Sequence, residues 1–273
     1  MLGRLKIIRR MGTVTDNLLE VLTKRDEIYK SASAEKRAVN VPRLVAVSKT
    51  KPVELILEAY TAGQRCFGEN YIQEISEKSS NPELLEKCPD IKWHFIGNCQ
   101  TNKAKTLMSC PNLAVIETIT SEKLASKLNA QGGERPVSVM VQINTSGEEN
   151  KNGLDVAGGV QCAKFIVENC PKLKLIGLMT IGNLGNSIQA NDKGENPDFL
   201  KLIEVRKLVA EELNLDEHQL ELSMGMSNDY AEAIKMGSTN IRVGSSIFGV
   251  RNAKSSQDSA QSQAESKMEQ LKI

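Results

Sequence analysis

Two lysines open the chemical reading of the chain. In RLVAVSKTKP, Arg43 to Pro52, a run of small and apolar residues ends at Lys49, with Lys51 two places on and a proline closing the stretch. Val45, Val47 and Lys49 share one face of an extended segment, so the Lys49 amine is expected where that face ends. An amine partly buried beside another cation gives up its proton more readily and can form an imine with an aldehyde. Lys51 has the same parity but falls in the turn before Pro52, where a solvated lysine is ordinary. The other cation is Arg242, which interrupts the apolar stretch NIRVGSS and shares parity with Gly244. A buried guanidinium needs an acceptor, either a neighbouring carboxylate such as Glu221 or a ligand.

The elements that position these groups alternate with some regularity. Strand-like runs are RLVAVS, RCFGE, KWHFIG, LAVIETI, VSVMVQI, LKLIGLMT, QLELSMG and NIRVGSS. Helical patterns lie between them: VELILEAYTAG after Pro52, SEKLASKLNAQGG, DVAGGVQCAKFIVENC, and PDFLKLIEVRKLVAEELN, which begins with a proline. A further helix, DNLLEVLTKRDEIYKS, leads in. Aliphatic strands alternating with helices pair in parallel through right-handed crossovers. Eight strands predict an α/β fold, a single (β/α)8 TIM barrel. An open doubly wound sheet is the alternative, but no Gly-x-Gly-x-x-Gly follows the first strand. We expect residues 1–15 to form a basic N-terminal segment, 16–251 the barrel with its leading helix, and 252–273 a polar tail. The glycine-rich stretch Gly182 to Asn196 reads as a mobile loop.

Barrel chemistry sits at the C-terminal ends of the strands, and phosphate is often held after strands seven and eight. Those ends are SMGMSND, Ser223 to Asp229, and RVGSS, with Gly244, Ser245 and Ser246. Both offer backbone N–H groups and hydroxyls, with Ser227 and Asn228 able to cap the next helix, the pattern of an anion site or of plain helix caps. A nucleophilic lysine, a phosphate cradle and an arginine together point to pyridoxal 5'-phosphate (PLP).

The stretches LVAVSKTKP, GQRCFGENYIQE, WHFIGNCQTNK, GLMTIG, LSMGMSNDYAEAI and STNIRVGSSIFGVR resemble, in order, those of the pyridoxal phosphate homeostasis proteins. One departure is Cys99, where leucine is usual; cysteine packs as a small hydrophobe. The resemblance implies a barrel like the N-terminal domain of alanine racemase, of the fold-type III PLP class, with PLP as a Schiff base on Lys49. It places Arg242 against the pyridine nitrogen, Ser223, Ser227, Gly244 and Ser245 on or beside the phosphate loops, Asn70 near the ring, Met224 in its surroundings and His94 close by.

An arginine at the pyridine nitrogen keeps it unprotonated and the ring a weak electron sink. Efficient racemisation also needs a base on each face of the carbanion, and the racemases draw the second from a β-domain for which we expect no counterpart here. The expectation is a non-catalytic PLP-binding protein, a monomer or weak dimer, that serves PLP homeostasis and supplies PLP-dependent apoenzymes. A fold-type III racemase is the alternative. An aldolase-like barrel without cofactor would be colourless when isolated, and a docking scaffold would be indifferent to Lys49.

Bulk properties narrow the class. Lys+Arg 35 against Asp+Glu 34 leaves a net charge of +1, so no global field favours nucleic acid or an anionic membrane surface. The six cysteines form no Cys-x-x-Cys pair and read as reduced thiols of a cytoplasmic protein. The leader MLGRLKIIRRMGTVT carries four cations and no acid, which makes mitochondrial delivery the alternative address.

Overall fold

A computed structural model describes residues 12–148, 152–183, 185 and 195–249. The basic leader to residue 11, most of the loop expected over Gly182 to Asn196 and the expected tail lie outside the described residues. Eight strands, β1 (Arg43–Val47), β2 (Cys66–Glu69), β3 (Lys92–Phe95), β4 (Leu113–Ile119), β5 (Val137–Gln142), β6 (Leu173–Met179), β7 (Glu221–Ser223) and β8 (Asn240–Val243), close into a barrel in chain order. All pairings are parallel, β8 to β1 included, where Val45 lies beside Arg242. The (β/α)8 barrel is therefore the fold.

Around it run α1 (Val14–Ser31), α2 (Val53–Thr61), α3 (Ile72–Ser79), α4 (Pro82–Lys87), α5 (Ala104–Met108), α6 (Glu122–Gln131), α7 (Val156–Asn169), α8 (Pro197–Leu213), α9 (Tyr230–Lys235) and α10 (Ser245–Phe248). Their starts follow local chemistry. Thr13 and Asp16 form a capping box on α1, while Ser121 and Asp155 accept from Leu124 N and Gly158 N at α6 and α7. Helix α1 thus begins two residues before the expected Asp16, because Thr13 supplies the cap. Helices α3, α4, α5 and α10 were not apparent from periodicity. The last three are 6, 5 and 4 residues long, too short to show a repeat, and α3 (IQEISEKS) has few apolar residues.

Strand parity divides the interior into two cores. Outward-facing Leu44, Ala46, Phe67, Trp93, Phe95, Ile116, Val139, Leu178, Leu222 and Ile241 pack beneath the helices in one large apolar cluster. Inside the barrel, Val115, Met140 and Met179 form a separate small cluster on the β4–β6 side. Most of the remaining interior is polar, which is unusual for a barrel normally filled by branched aliphatic layers. All six cysteines are unpaired thiols, five of them buried.

Two glycines bring the strand ends together. A Cβ on Gly97, just past β3, would lie 1.8 Å from the Asn70 carbonyl oxygen, so only glycine lets these two strand ends touch. Gly225 adopts φ +96° and ends β7 earlier than the expected QLELSMG run, turning the chain towards α9. Gly97→Ala should therefore cost about 3 kcal/mol or more, the upper part of the overpacking range. Gly133→Ala, where a Cβ meets nothing within 4 Å, should stay within about 0.5 kcal/mol. Urea midpoints at constant m-value measure both.

Candidate functional site

At the C-terminal mouth of the barrel lies a cavity of about 420 Å³, inside the roughly 300–1,000 Å³ range of small-molecule sites. Val47, Ile96, Met179, Ile181 and Met226 form its apolar wall. Its polar lining is Lys49, Lys51, Asn70, Arg242 and Ser245, with the backbone of Gly244 and Gly249. Lys49 reaches it because β1 ends at Val47 and the chain turns through Ser48 to a left-handed Thr50, φ 59°. Asn70, held against Gly97, contributes a buried Oδ1 with no hydrogen-bond partner among the described residues. An orphaned acceptor at a cavity wall suits a donor brought by a ligand.

Arg242 lies at the inner end of this cavity, 4% exposed. Its Nη2 donates to the Thr180 carbonyl at 2.7 Å and its Nη1 donates to Ser223 Oγ. Glu117 Oε2 stands 4.0 Å from Nη1. Glu117 is wholly buried and well satisfied: it bonds His94 Nδ1 at 2.6 Å and accepts from Ser223 Oγ at 2.5 Å and Asn240 Nδ2 at 3.1 Å. Burial pushes Glu117 up, but the hydrogen bond and charge of His94, with the charge of Arg242, outweigh it and hold the carboxyl below its ordinary range. Burial pulls His94 down, and its bonds to Cys66 and Glu117 overcome this, leaving it raised. Burial also lowers Arg242, against the nearby Glu117 and Asp229 charges. One layer below, Arg43 makes a two-pronged bond to Glu221, both at 2.8 Å.

The rim is built from the turns after β7 and β8. Gly244 N donates to Ser227 Oγ at 3.4 Å, linking the two turns, and Asp229 Oδ1 accepts from Met226 N at 2.6 Å. Ser245 is exposed at the start of α10, where first-turn N–H groups have no intrahelical acceptor. Lys51 Nζ donates to Gly249 O at 3.1 Å and so fastens the far end of α10.

The family profile described as alanine racemase, N-terminal domain, matches residues 25–252. The pyridoxal phosphate homeostasis protein of Mus musculus is 51% identical over 215 residues, covering 77% of this chain and 77% of that protein. The chain belongs to the pyridoxal phosphate homeostasis protein family. The Caenorhabditis elegans family member is 43% identical over 246 residues, 88% of this chain and 97% of that protein. PipY of Synechococcus elongatus PCC7942, a structure with PLP bound, superposes with a TM-score of 0.66 at 30% identity, covering 86% of this chain and 100% of that one.

In this family member, five of the expected site residues line one cavity: Lys49, Asn70, Arg242, Gly244 and Ser245. Ser227 adjoins it through Gly244. Ser223 and His94 lie beneath, wholly or almost wholly buried, and bear on the cavity only through Arg242 and Glu117. Met224 is fully buried in the outer core, and Met226 is the methionine at the wall, because Gly225 reverses the chain between them. Glu221 is not the partner of Arg242. It starts β7 a layer lower, beside Arg43 at the start of β1. Lys51 is half-buried at the cavity and not a simple solvated side chain. Glu117 was missed, although a lone carboxylate inside LAVIETI is the same signal that marked Arg242 in NIRVGSS.

Glu117→Gln should cost about 3–5 kcal/mol near neutrality, the range for breaking one side of a buried charge pair, measured by urea unfolding. The pH dependence follows by linkage. With Glu117 lowered, its contribution is present above its ordinary value of 4.5 and is lost as pH falls through the folded value. With His94 raised, its contribution is full below its ordinary 6.5 and is lost as pH rises through the folded value. The wild-type stability profile should show both losses, and His94→Gln should remove the alkaline one.

Proposed function

We propose that this protein holds PLP on Lys49 without turning over a substrate, and that it serves PLP homeostasis by releasing PLP to apoenzymes. The observation that carries the reading is the pairing of a strand-end lysine with a buried, anchored arginine in one cavity. The cavity's size, the orphaned Asn70 Oδ1 and the open rim at Gly244 and Ser245 fit a small, polar, anionic cofactor. PLP, when bound, supplies an aldehyde that an amine can attack and a phosphate monoester.

The chain's own residues divide the work. Lys49 offers the nucleophilic Nζ. Gly244, Ser245 and Ser227 provide N–H and O–H donors at the rim for an anion. Arg242 faces the ligand as a permanent donor: it cannot accept a proton, and its anchors at Thr180 and Ser223 leave it no freedom to shuttle one. Among the described residues lining the cavity there is no histidine, tyrosine or carboxylate side chain. Apart from the Ser245 hydroxyl, the described lining offers only Lys49 and Lys51 as amines able to move a proton, and Lys51 is tied to Gly249. That supports binding over two-base chemistry on an amino acid.

Borohydride reduction of the PLP-loaded protein, followed by peptide mapping, should leave the adduct on Lys49; an adduct on Lys51 alone would overturn the site. In deuterated buffer with PLP, amino acids should keep their α-hydrogen at the uncatalysed rate. Enzymic exchange of any amino acid would contradict the non-catalytic reading.

A further inference from the structure

The turn that carries Lys49 is fastened from an unexpected quarter. Lys78, on α3, is 7% exposed. Its Nζ donates to the Ser48 carbonyl at 2.8 Å, to Glu69 Oε1 at 2.7 Å and to Glu74 Oε1 at 2.7 Å. These contacts use all three donors of an ammonium group. The same Glu74 oxygen accepts from Thr50 N at 2.6 Å, and Ser48 Oγ donates to Glu69 Oε1 at 2.7 Å. The carbonyl just before Lys49 and the amide just after it therefore converge on one buried ammonium, the first directly and the second through Glu74.

A simple stabilising ion pair does not explain this arrangement. Two carboxylates face one ammonium, Glu69 Oε2 has no partner among the described residues, and a buried charge cluster is a poor source of net stability. Burial, the largest influence, pushes Glu69 up to about 7, with the charge of Glu74 acting in the same direction and Lys78 and Ser48 opposing. What the cluster does secure is backbone geometry. Thr50 sits in the left-handed region, which a non-glycine residue rarely adopts unless something holds it.

We propose that Lys78, acting through Ser48 and Glu74, is a positioning residue that aims the Lys49 amine into the cavity. The proposal rests on the reading that Lys49 holds PLP. It distributes the task between a nucleophile on β1 and a clamp on α3, and neither Lys78 nor Glu74 lines the cavity itself.

The test is titration of purified full-length protein with PLP, read by the absorbance of bound PLP, alongside circular dichroism and urea midpoints. Lys49→Ala should lose the bound-PLP band; if it keeps the band, both the reading and this proposal fall. Lys78→Met, if folded, should weaken PLP binding by about tenfold or more, the equivalent of one charged hydrogen bond. Its bound-PLP band should also shift, and Lys78→Arg should partly restore both. Glu74→Ala, at a partly exposed position where the side chain is 20% accessible, should fold normally, weaken binding several-fold and shift the band. Wild-type affinity and spectrum in folded Glu74→Ala would overturn the proposal, whatever Lys78→Met does.

Discussion

The guanidinium of Arg242 is the constraint on which the rest of the site depends. A permanent charge at 4% exposure is tolerated only if its donors are met and a counter-charge is near. The barrel meets that demand from three other strands: the Thr180 carbonyl at the end of β6, Ser223 on β7 and Glu117 on β4. Glu117 must in turn be satisfied, which draws in His94 from β3 and Asn240 from β8. One buried charge thus accounts for the polar layer of Ser223, Glu117, His94 and Asn240 beneath the cavity, in a fold that is usually packed with aliphatic layers. Barrel closure makes this feasible, since β8 lies against β1 only when the ring is complete.

The same anchoring bears on reactivity. An arginine anchored by one bond from each Nη to a protein acceptor presents a fixed field, keeps further N–H donors for a ligand, and cannot accept a proton. Lys49 follows β1, the strand next to the one that carries Arg242, on a turn braced by a separate cluster, Lys78 with Glu69 and Glu74. Two separate buried clusters thus support the cavity: one anchors the Arg242 guanidinium, and the other holds the turn that carries Lys49. Preorganisation of this kind favours holding a ligand in one pose. The cavity meets solvent at the rim, where Ser245 is exposed and α10 is only four residues long.

Much of this was legible in the chain itself, for physical reasons that differ by element. Strand number and the inward parity of Lys49 and Arg242 follow from period-two alternation, which is local, while the clustering of SMGMSND and RVGSS follows from their place after the last two strands of a barrel. The partner of Arg242 is not local. Glu221 and Glu117 both have inward parity, and only the stagger of the strands decides that Glu221 meets Arg43 while Glu117 reaches Arg242. That Met226 lines the cavity while Met224, the methionine the resemblance implies, packs in the outer core depends on the positive φ of Gly225. Helix α3 escaped notice because one of its buried residues is Lys78, so that charge and solvent exposure do not coincide there.

The most direct test of the central claim is a crystal structure of the protein grown with PLP. On that claim, continuous density should run from Lys49 Nζ into the cofactor, with its ring nitrogen facing Arg242 and its phosphate at the Ser227, Gly244 and Ser245 rim. PLP joined to Lys51, or seated away from Arg242, would contradict it.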